Sequence, residues 1–325
     1  MQRRHFFAAT TVAIACVSSP VIWAQTKFPD RPITIVVPSA PGGTTDFSAR
    51  LIAEPLSRAL GQSVVVDNKA GASGNIGNQF VARAKPDGYT LLLAYSGYQV
   101  GNPHLFKKAG WDPIKDFAPV AMLTRAPQLL VARNNLPANN LRELISYAKA
   151  NPGKLNFASS GNGSIQHIAG ELFAQITGTS LTHVPYKGAG PAVQDLLGAQ
   201  VDLFFTTPAS VVGQIKAEKL KGLMVTTSAR LTSLPQVPTA MEAGLKDFNL
   251  DSWFALYAPA GTPAEVIQLL NTEVNKILAT VDIRKKAEDS GTTVDQMTST
   301  QLGDYTRKEL DYWGRVIQSA KIAAE

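Results

Sequence analysis

The sequence predicts an α/β protein of two lobes, each a mostly parallel sheet flanked by helices, with a cleft between the lobes. Strand-like and helix-like segments alternate along the chain, an order typical of parallel strands covered by helices. Two extended stretches interrupt this alternation, and each marks a crossing from one lobe to the other. With 45% hydrophobic residues, the about 300 residues that follow a leader are enough to build two cores.

The outer lobe is predicted from residues 25–126 and 253–325. Its first strand, 33–37, is rich in β-branched residues, and apolar residues at helical spacing follow a turn of proline and glycine. The other elements show the same two periodicities: helices at 46–60 and 75–84, strands at 64–66 and 89–94, extended stretches at 117–123 and 252–259, and helices at 264–278, 282–289 and 299–324.

The middle lobe is predicted from residues 127–252. It starts with the extended segment 128–132, which an interruption at 124–127 separates from the preceding stretch. The alternation then resumes, with helices at 141–150, 164–177, 191–197 and 211–219 and strands at 155–158, 182–184, 201–205 and 222–226. In open α/β sheets ligands bind beyond the carboxyl ends of the strands, so the cleft between two such sheets is the expected site.

Residues 1–24 are predicted to be a secretory signal peptide. Arg3 and Arg4 precede a short apolar segment that ends at Ala24, the predicted cleavage position. Paired arginines are also typical of twin-arginine export, so both export routes stay open. Cys16, the single cysteine, lies in this leader, and Ala13 is smaller than the residue that a lipid-anchor site prefers there. The mature chain is therefore expected to lack disulfides, cysteine nucleophiles and cysteine-bound zinc.

The mature chain carries a mild, scattered positive charge. The formal charge of +6 includes two leader arginines, and the leader contains no acid, so the mature chain is about +4 (6 − 2). A nucleic-acid-binding face would concentrate its basic residues and place aromatic residues between them, and the sequence lacks this pattern. After the leader, no segment approaches the roughly 20 apolar residues of a membrane-spanning helix. We therefore expect no nucleic-acid partner, and the charge favours a small anion.

The first candidate site is the loop 38–46, which joins the first strand to the first helix. A turn of this kind leaves the first N–H groups of the helix without partners, and these donors with the helix dipole attract an anion. The acid that begins the helix is stabilised by the same dipole, and the alternative is that it orients water or a ligand amine. The candidate residues are Ala40, Pro41, Gly42, Gly43, Thr44 and Asp46.

A second turn of the same type occupies residues 159–164 in the middle lobe. Ser164 is the expected helix cap, and two glycines allow close approach of backbone to a ligand. The spacing Gly161-x-Gly163-x-x-His167 lacks the third glycine of a dinucleotide-binding fingerprint, and His167 is expected on the helix face against its own loop. The candidate residues are Ser159, Ser160, Gly161, Asn162, Gly163, Ser164 and His167.

Further candidates follow neighbouring strands. Tyr95 and Ser96 end the third strand, where Tyr95 supplies either an apolar wall with a polar tip or packing at the lobe surface. Tyr186 and Gly188 follow a middle-lobe strand on the opposite wall. Asp202 is an acid inside an apolar strand, expected to accept from nearby loop N–H groups, with direct contact to a ligand as the alternative.

Catalytic chemistry has weak support in the sequence. Ser160, His167 and Asp202 supply the residue types of a hydrolytic triad, but Ser160 is not in a Gly-x-Ser-x-Gly turn. The histidines that follow the leader are not at paired metal-ligand spacing, so we expect neither a metal nor another cofactor. We predict a binding protein that is not an enzyme, and a secreted serine hydrolase using Ser160 or Ser164 is the alternative.

Eight motifs in chain order resemble the Bug-type solute-binding proteins of tripartite tricarboxylate transporters. They cover nearly the whole mature chain, and the resemblance is specific because their order is kept. They are Pro38-Ser39-Ala40-Pro41-Gly42-Gly43-Thr44-Thr45-Asp46, Gly71-Ala72-Ser73-Gly74-Asn75-Ile76-Gly77, Pro86-Asp87-Gly88-Tyr89-Thr90-Leu91-Leu92, Asn102-Pro103, Asp116-Phe117-Ala118-Pro119-Val120, Ser159-Ser160-Gly161-Asn162-Gly163-Ser164, His183-Val184-Pro185-Tyr186-Lys187-Gly188 and Ala258-Pro259-Ala260-Gly261-Thr262-Pro263.

The resemblance implies a periplasmic, two-lobed binding protein of type II, a monomer that closes on a small carboxylate and delivers it to integral membrane subunits. Backbone groups and ordered waters of the two loops would hold one carboxylate. The far end of the pocket would set the ligand, either a di- or tricarboxylate or an aromatic carboxylate. In this sequence that region would include Tyr95, Tyr98 and residues near Thr206-Thr207-Pro208, which favour neither class.

Overall fold

The computed structural model describes residues 28–246 and 248–319, so the predicted signal peptide and its cleavage position lie outside the described residues. The strands are β1 (Ile33–Val37), β2 (Val64–Asn68), β3 (Thr90–Tyr95), β4 (Phe117–Pro127), β5 (Leu129–Arg133), β6 (Leu155–Ser159), β7 (Leu181–Pro185), β8 (Leu203–Thr206), β9 (Leu220–Val225), β10 (Asp251–Pro259) and β11 (Thr293–Val294). The α-helices are α1 (Thr44–Leu60), α2 (Asn75–Ala82), α3 (Asn102–Leu105), α4 (Leu141–Ala150), α5 (Ile165–Thr177), α6 (Ala189–Leu197), α7 (Val212–Lys216), α8 (Ala264–Leu278), α9 (Val281–Asp289) and α10 (Ser299–Ser319).

The first sheet has the strand order β11-β4-β10-β3-β1-β2. At its centre β1 runs parallel to β2 and β3, and Ile35 lies opposite Val66 and Leu91. Ile52 of α1 and Leu270 of α8 pack on this sheet in one buried cluster. Burying a side chain of this size stabilises the fold by roughly 1.5–3 kcal/mol. The packing fixes α1 against the sheet and holds its N-terminus at the carboxyl end of β1.

The second sheet has the strand order β7-β6-β8-β5-β9. Its strand β6 runs parallel to β7 and β8, with Phe157 opposite His183 and Leu203. Phe173 of α5 is fully buried in the same cluster as Phe157. This packing places the N-terminus of α5 at the carboxyl end of β6, as the βα order of the sequence predicts.

The two-lobed α/β fold is confirmed, but the sheets are mixed rather than mostly parallel. In the first sheet β10 runs antiparallel to β3 and β4. In the second sheet β5 runs antiparallel to β8 and β9. Both strands adjoin a crossing between the sheets, where the chain changes direction. The parallel pairs lie where strand and helix alternate, as expected from that pattern.

Two crossings connect the sheets, from β4 to β5 and from β9 to β10. Between them, the Gln128 backbone N–H donates to Thr226 Oγ1 at 2.9 Å, and its side-chain NH₂ donates to Ser252 Oγ at 2.8 Å. The predicted interruption at 124–127 is wrong, because β4 continues to Pro127, opposite Asp251 of β10. The hydrogen bonds of Gln128 tie the two crossings into one joint.

Most predicted helices and strands are confirmed with small shifts at their ends. The helix predicted at 211–219 is shorter, since α7 ends at Lys216 and Glu218 has a left-handed φ of 55°. The sequence did not predict β11, the short helix α3 or a π-helical turn at Gly97–Gly101. Within the described ranges, no helix combines the length and apolar character needed to cross a membrane.

The two lobes touch where glycines allow the backbones to approach. The Ala40 N–H donates to the Lys187 carbonyl oxygen at 2.9 Å. A Cβ atom added to Gly42 would lie 3.6 Å from the Gly190 Cα, and one added to Gly190 would lie 2.0 Å from the Pro41 carbonyl oxygen. Residue 190 must therefore be glycine for the first loop and α6 to pack in this way.

We expect Gly190→Ala to separate the lobes, because its Cβ would overlap backbone that cannot move independently. Gly213→Ala is the matched control, since Gly213 is also helical and its added Cβ meets no atom within 4 Å. The control should gain up to about 1 kcal/mol of helix stability. Small-angle X-ray scattering should show a larger radius of gyration for Gly190→Ala than for Gly213→Ala. Equal radii would contradict this account of the lobe contact.

Candidate functional site between the lobes

The carboxyl ends of β1, β3, β6 and β8 meet between the lobes and enclose a small polar cavity. Its volume is about 10 Å³, close to the space that one water needs, so a larger ligand requires the lobes or side chains to move. Both lobes and their loops contribute to the lining. The lining residues are Ser39, Gly43, Thr44, Thr45, Tyr95, Tyr98, Ser160, Gln166, Gly188, Ala189, Thr207 and Phe254.

The N-terminus of α1 faces this cavity without a side-chain cap. Gly43 at the N-cap position is extended, with φ −92° and ψ 172°, and no side chain bonds to the first turn as a cap. Gly42 before it has φ 88°, a left-handed conformation that glycine adopts without strain. The 17-residue helix thus presents N–H groups and the positive end of its dipole to the cavity.

Asp46 shapes the first loop from within. One carboxylate oxygen accepts from the Gly42 N–H at 3.2 Å and from Arg50 Nε at 3.0 Å, and the other accepts from Asn68 Nδ2 at 3.1 Å. Both oxygens are therefore engaged inside the loop, and Arg50 balances their charge. The arrangement supports the role of a helix-start acid and offers no support for the alternative of orienting a ligand amine.

Hydroxyl groups complete this side of the cavity. Thr207 Oγ1, from the middle lobe, donates to Thr44 Oγ1 of the first loop at 2.6 Å. Ser39 is 4% exposed, and its Oγ has no hydrogen-bond partner among the described residues. A buried hydroxyl without a partner is costly, so Ser39 and the uncapped helix together favour a hydrogen-bonding ligand here.

The second loop satisfies most of its own N–H groups. The Gly161 N–H donates to Ser159 Oγ at 3.1 Å, and the Gly163 N–H donates to His167 Nδ1 at 3.2 Å. Ser164 Oγ caps α5 by accepting from the His167 N–H at 3.2 Å. The second loop thus uses the N–H groups of Gly161 and Gly163 for its own contacts, whereas no side chain caps the first turn of α1.

Two stacked imidazoles hold the second loop from behind. The rings of His167 and His183 lie 4.0 Å apart with 16° between their planes, and His183 also stacks on Phe157 at 4.9 Å. His183 Nε2 lies 2.6 Å from Ser159 Oγ. Burial lowers the pKa of His167 to about 4, and burial with the neighbouring ring lowers the pKa of His183 to about 3. Both rings are therefore neutral at pH 7, and His167 Nδ1 accepts from the Gly163 N–H of the loop.

An aromatic wall closes the cavity on the outer-lobe side. Tyr95 packs edge-to-face on Tyr98 at 4.8 Å and stacks on Phe254 at 5.6 Å. The Tyr98 hydroxyl donates to the Ser160 carbonyl oxygen at 2.6 Å across the cleft. Burial raises the pKa of both tyrosine hydroxyls, so they stay neutral. The alternative of Tyr95 packing at the lobe surface is wrong, since Tyr95 is 3% exposed and lines the cavity.

Several predicted site residues lie outside the cavity lining. Asp202 precedes β8, at the end of the strand away from Thr206, and its carboxylate accepts from Arg133 Nε at 2.8 Å and the Asn156 N–H at 2.9 Å. The role of acceptor for a neighbouring N–H is confirmed, and direct ligand contact from this position is wrong. The other predicted residues that are not among the lining residues are Ala40, Pro41, Gly42, Asp46, Ser96, Ser159, Gly161, Asn162, Gly163, Ser164, His167, Tyr186 and Thr206.

Two of these residues have clear structural partners instead. Ser96 Oγ accepts from the Trp253 N–H at 3.1 Å, which ties β3 to β10. The Tyr186 hydroxyl donates to Asp195 at 2.6 Å. Conversely, five lining residues were not among the candidates: Ser39, Thr45, Gln166, Ala189 and Phe254. Ser39 and Thr45 lie in the predicted first loop, and Gln166 follows directly on the predicted start of α5, so these three were within reach of the sequence signal.

The arrangement offers little for hydrolysis. Across the described residues, neither Ser160 Oγ nor Ser164 Oγ has an imidazole as a hydrogen-bond partner, and Ser164 Oγ serves as the cap of α5. The serine that does meet a histidine is Ser159, which is fully buried behind the loop. In the part of the chain that is described, no group of three potential metal ligands occurs. Among the described residues, the cavity lining contains no Asp, Glu, His, Lys or Arg.

Comparison with known proteins gives a consistent result. The family model described as "Tripartite tricarboxylate transporter family receptor" matches residues 48–322. The structure of the periplasmic binding protein BugD is 36% identical, covers 92% of this chain and 100% of its own, and has a TM-score of 0.88.

Two similar structures contain small dicarboxylates. A Rhodopseudomonas palustris protein solved with adipate is 38% identical, covers 91% of this chain and 99% of its own, and has a TM-score of 0.88. MatC from the same organism, with bound malate, is 37% identical, covers 89% and 100%, and has a TM-score of 0.84.

We expect the free energy of unfolding to fall as the pH is lowered from 6.5 towards 4. The folded protein holds His167 and His183 with pKa values below the unfolded value of about 6.5, so the unfolded chain binds more protons in this range. The free energy of unfolding is therefore highest above pH 6.5. The depressed pKa of His167 lowers it by at most about 3 kcal/mol as the pH falls. Glu171 approaches His167 Nε2 at 3.8 Å, but burial of the ring dominates.

Urea unfolding at pH 7, 6, 5 and 4 measures this dependence. His183→Gln keeps a hydrogen-bonding group for Ser159 and removes one titrating ring, so its unfolding free energy should fall less steeply than that of the wild type. His167→Asn should flatten the dependence in the same way while keeping an acceptor for Gly163. Identical slopes in all three proteins would show that the imidazole pair does not titrate as described.

Proposed function

The chain belongs to the receptor family of tripartite tricarboxylate transporters, which are periplasmic solute-binding proteins, and from this premise we propose that it captures a small carboxylate between its lobes and delivers it to the membrane subunits of such a transporter. Adipate and malate in the two R. palustris relatives support a carboxylate as the ligand class. The proposed binding protein is exported to the periplasm and acts without catalysis.

One observation carries the choice of ligand: the uncapped N-terminus of α1 opens into a buried cavity beside Ser39. The end of a long helix stabilises a negative charge by up to about 2 kcal/mol in partly buried positions. N–H groups and hydroxyls supply hydrogen bonds to the charged oxygens, and such bonds are stronger than those between neutral groups. A carboxylate fits this combination better than a neutral group does.

The ligand-binding residues that we propose follow from this geometry. Gly43 and Thr44 present the helix start, and Ser39, Thr45 and Thr207 supply hydroxyls around it. The middle lobe contributes Ser160, Gly188 and Ala189, and Tyr95, Tyr98, Gln166 and Phe254 surround the opposite end. Because both lobes line the cavity, a ligand bound there favours the arrangement in which the lobes touch.

We expect carboxylates to raise the free energy of unfolding, by about 2.7 kcal/mol at one hundred times the dissociation constant. A thermal-shift screen should compare each acid with its uncharged amide of the same length, because the amide keeps the shape and loses the charge. Shifts from acids and none from fully amidated analogues support the proposal. Equal shifts from acid and amide would show that the helix start does not select for charge.

Ser39→Ala should have two opposite effects. Removing a buried hydroxyl that has no protein partner should raise the unfolding free energy of the free protein by roughly 1 kcal/mol. The same change removes a donor to the carboxylate and should weaken its binding about tenfold. Chemical unfolding and isothermal titration calorimetry measure the two effects.

Ser233→Ala is the matched control, since Ser233 Oγ is also buried without a partner among the described residues and does not line the cavity. It should share the gain in stability and keep the wild-type affinity. A Ser39→Ala variant that binds carboxylates as tightly as Ser233→Ala would remove Ser39 from the proposed site.

A further inference from the structure

The Tyr95 hydroxyl spans the cleft and occupies the start of α5. It accepts a hydrogen bond from the Ile165 N–H at 2.9 Å and donates to Gln166 Oε1 at 2.8 Å. Ile165 is the first residue of the helix, so this hydroxyl takes a donor that a ligand oxygen would otherwise use. A tyrosine of the outer lobe thus occupies the position at the start of α5 where an anion could bind.

We propose that Tyr95 is the specificity-determining residue of this pocket, and that it restricts the ligand to a single carboxylate with an uncharged far end. The proposal rests on the proposed function, since it assumes that α1 holds a carboxylate. The second end of the ligand then lies beside Tyr95 and Gln166. The family resemblance did not decide which class of ligand this region accepts.

The asymmetry between the two helix starts supports this assignment. At α1 the N-cap is Gly43, without a side-chain bond, and Ser39 Oγ beside it is unpartnered within the described residues. At α5 the Ser164 side chain and the Tyr95 hydroxyl are already bonded to the N–H groups of His167 and Ile165. A carboxylate therefore finds free donors at one end of the pocket and occupied donors at the other.

A second charged group would also meet no compensating charge. The cavity lining contains no Lys, Arg or His among the residues that the structure describes. Arg50 of α1 is already paired with the Asp46 carboxylate, with Nε 3.0 Å from the oxygen. Transfer of a charge into such surroundings is costly unless it is paired or hydrogen-bonded, so a second carboxylate is disfavoured.

Gln166 indicates what the far end of the ligand carries. Its Oε1 accepts from Tyr95, which orients the amide and leaves the NH₂ group for the cavity that Gln166 lines. An amide NH₂ pairs with an uncharged acceptor such as a hydroxyl, carbonyl or amide oxygen. The rings of Tyr95 and Phe254 beside it supply apolar surface. A small monocarboxylate with a neutral polar group at its far end matches these contacts.

The experiment compares each diacid of four to six carbons with its own monoamide, by isothermal titration calorimetry at pH 7.5 and fixed salt. The two molecules of a pair have the same length and differ in the charge at one end. Wild type should bind the preferred monoamide at least tenfold more tightly than its diacid. Tyr95→Phe keeps the ring and releases the Ile165 N–H, so the preference should shift towards the diacid by about tenfold.

Tyr98→Phe is the matched control. It also removes one hydroxyl from the same wall, but that hydroxyl donates to the Ser160 carbonyl oxygen, so no N–H is released. Because Tyr98 lines the cavity, both affinities can change in this variant, but the ratio of monoamide to diacid affinity should stay within twofold of wild type. Gln166→Glu adds a second variant, in which Tyr95 still has an acceptor. Its carboxylate should repel the charged far end of a diacid and accept from the amide NH₂ of a monoamide, so the monoamide preference should increase.

The outcomes separate the two proposals. If no acid of the series binds wild type or raises its melting temperature, the proposed function fails. If acids bind but wild type prefers the diacids, or Tyr95→Phe and Tyr98→Phe change the ratio equally, the proposed function stands and the role of Tyr95 is overturned. A shift confined to Tyr95→Phe and opposed by Gln166→Glu supports the assignment.

Discussion

The uncapped start of α1 is the constraint on which the rest of the site depends. A serine, threonine or acid at the N-cap would satisfy these N–H groups, and Gly43 supplies none. Asp46, the acid closest to them, is bonded to Gly42 and Arg50. Burial of Ile52 against the first sheet holds the helix in place. The fold thus keeps the positive end of a long dipole directed into the cleft, where a ligand has to supply the missing acceptor.

The second loop resembles the first in sequence and differs from it in chemistry. Its N–H groups bond to Ser159, His167 and Tyr95, and the imidazole of His183 supports Ser159 from behind. His167 Nδ1 accepts from the Gly163 N–H only while the ring is neutral. Burial keeps both rings neutral by lowering their pKa values. In the proposed site the first loop therefore receives the anion, while the second loop forms a wall that contacts two uncharged histidines.

Much of the fold follows from local pattern, and the details of the site do not. The alternation of strands and helices, the glycine turns and the extended crossings are encoded in neighbouring residues, so they were predictable. The histidine stack arises from the register that sets Phe157 opposite His183, and Phe254 enters the cavity because β10 lies beside β3. Such contacts join distant parts of the chain. For Asp202 the expected acceptor role is confirmed, but the alternative of ligand contact is not, because the direction of β8 places Asp202 at the end of the strand away from the cavity.

The contacts across the cleft imply that binding exchanges hydrogen bonds rather than simply adding them. Thr207 bonds to Thr44, Tyr98 to Ser160 and Tyr95 to Ile165 without any ligand contribution. A ligand shifts the balance between separated and touching lobes only by its extra affinity for the touching arrangement. A molecule that breaks these hydrogen bonds gains little binding free energy unless its own oxygens form hydrogen bonds in their place. Under this proposal, selectivity depends on which bonds a ligand can replace: the helix start of α1 favours a carboxylate, and the bonds of Tyr95 favour ligands that leave them intact.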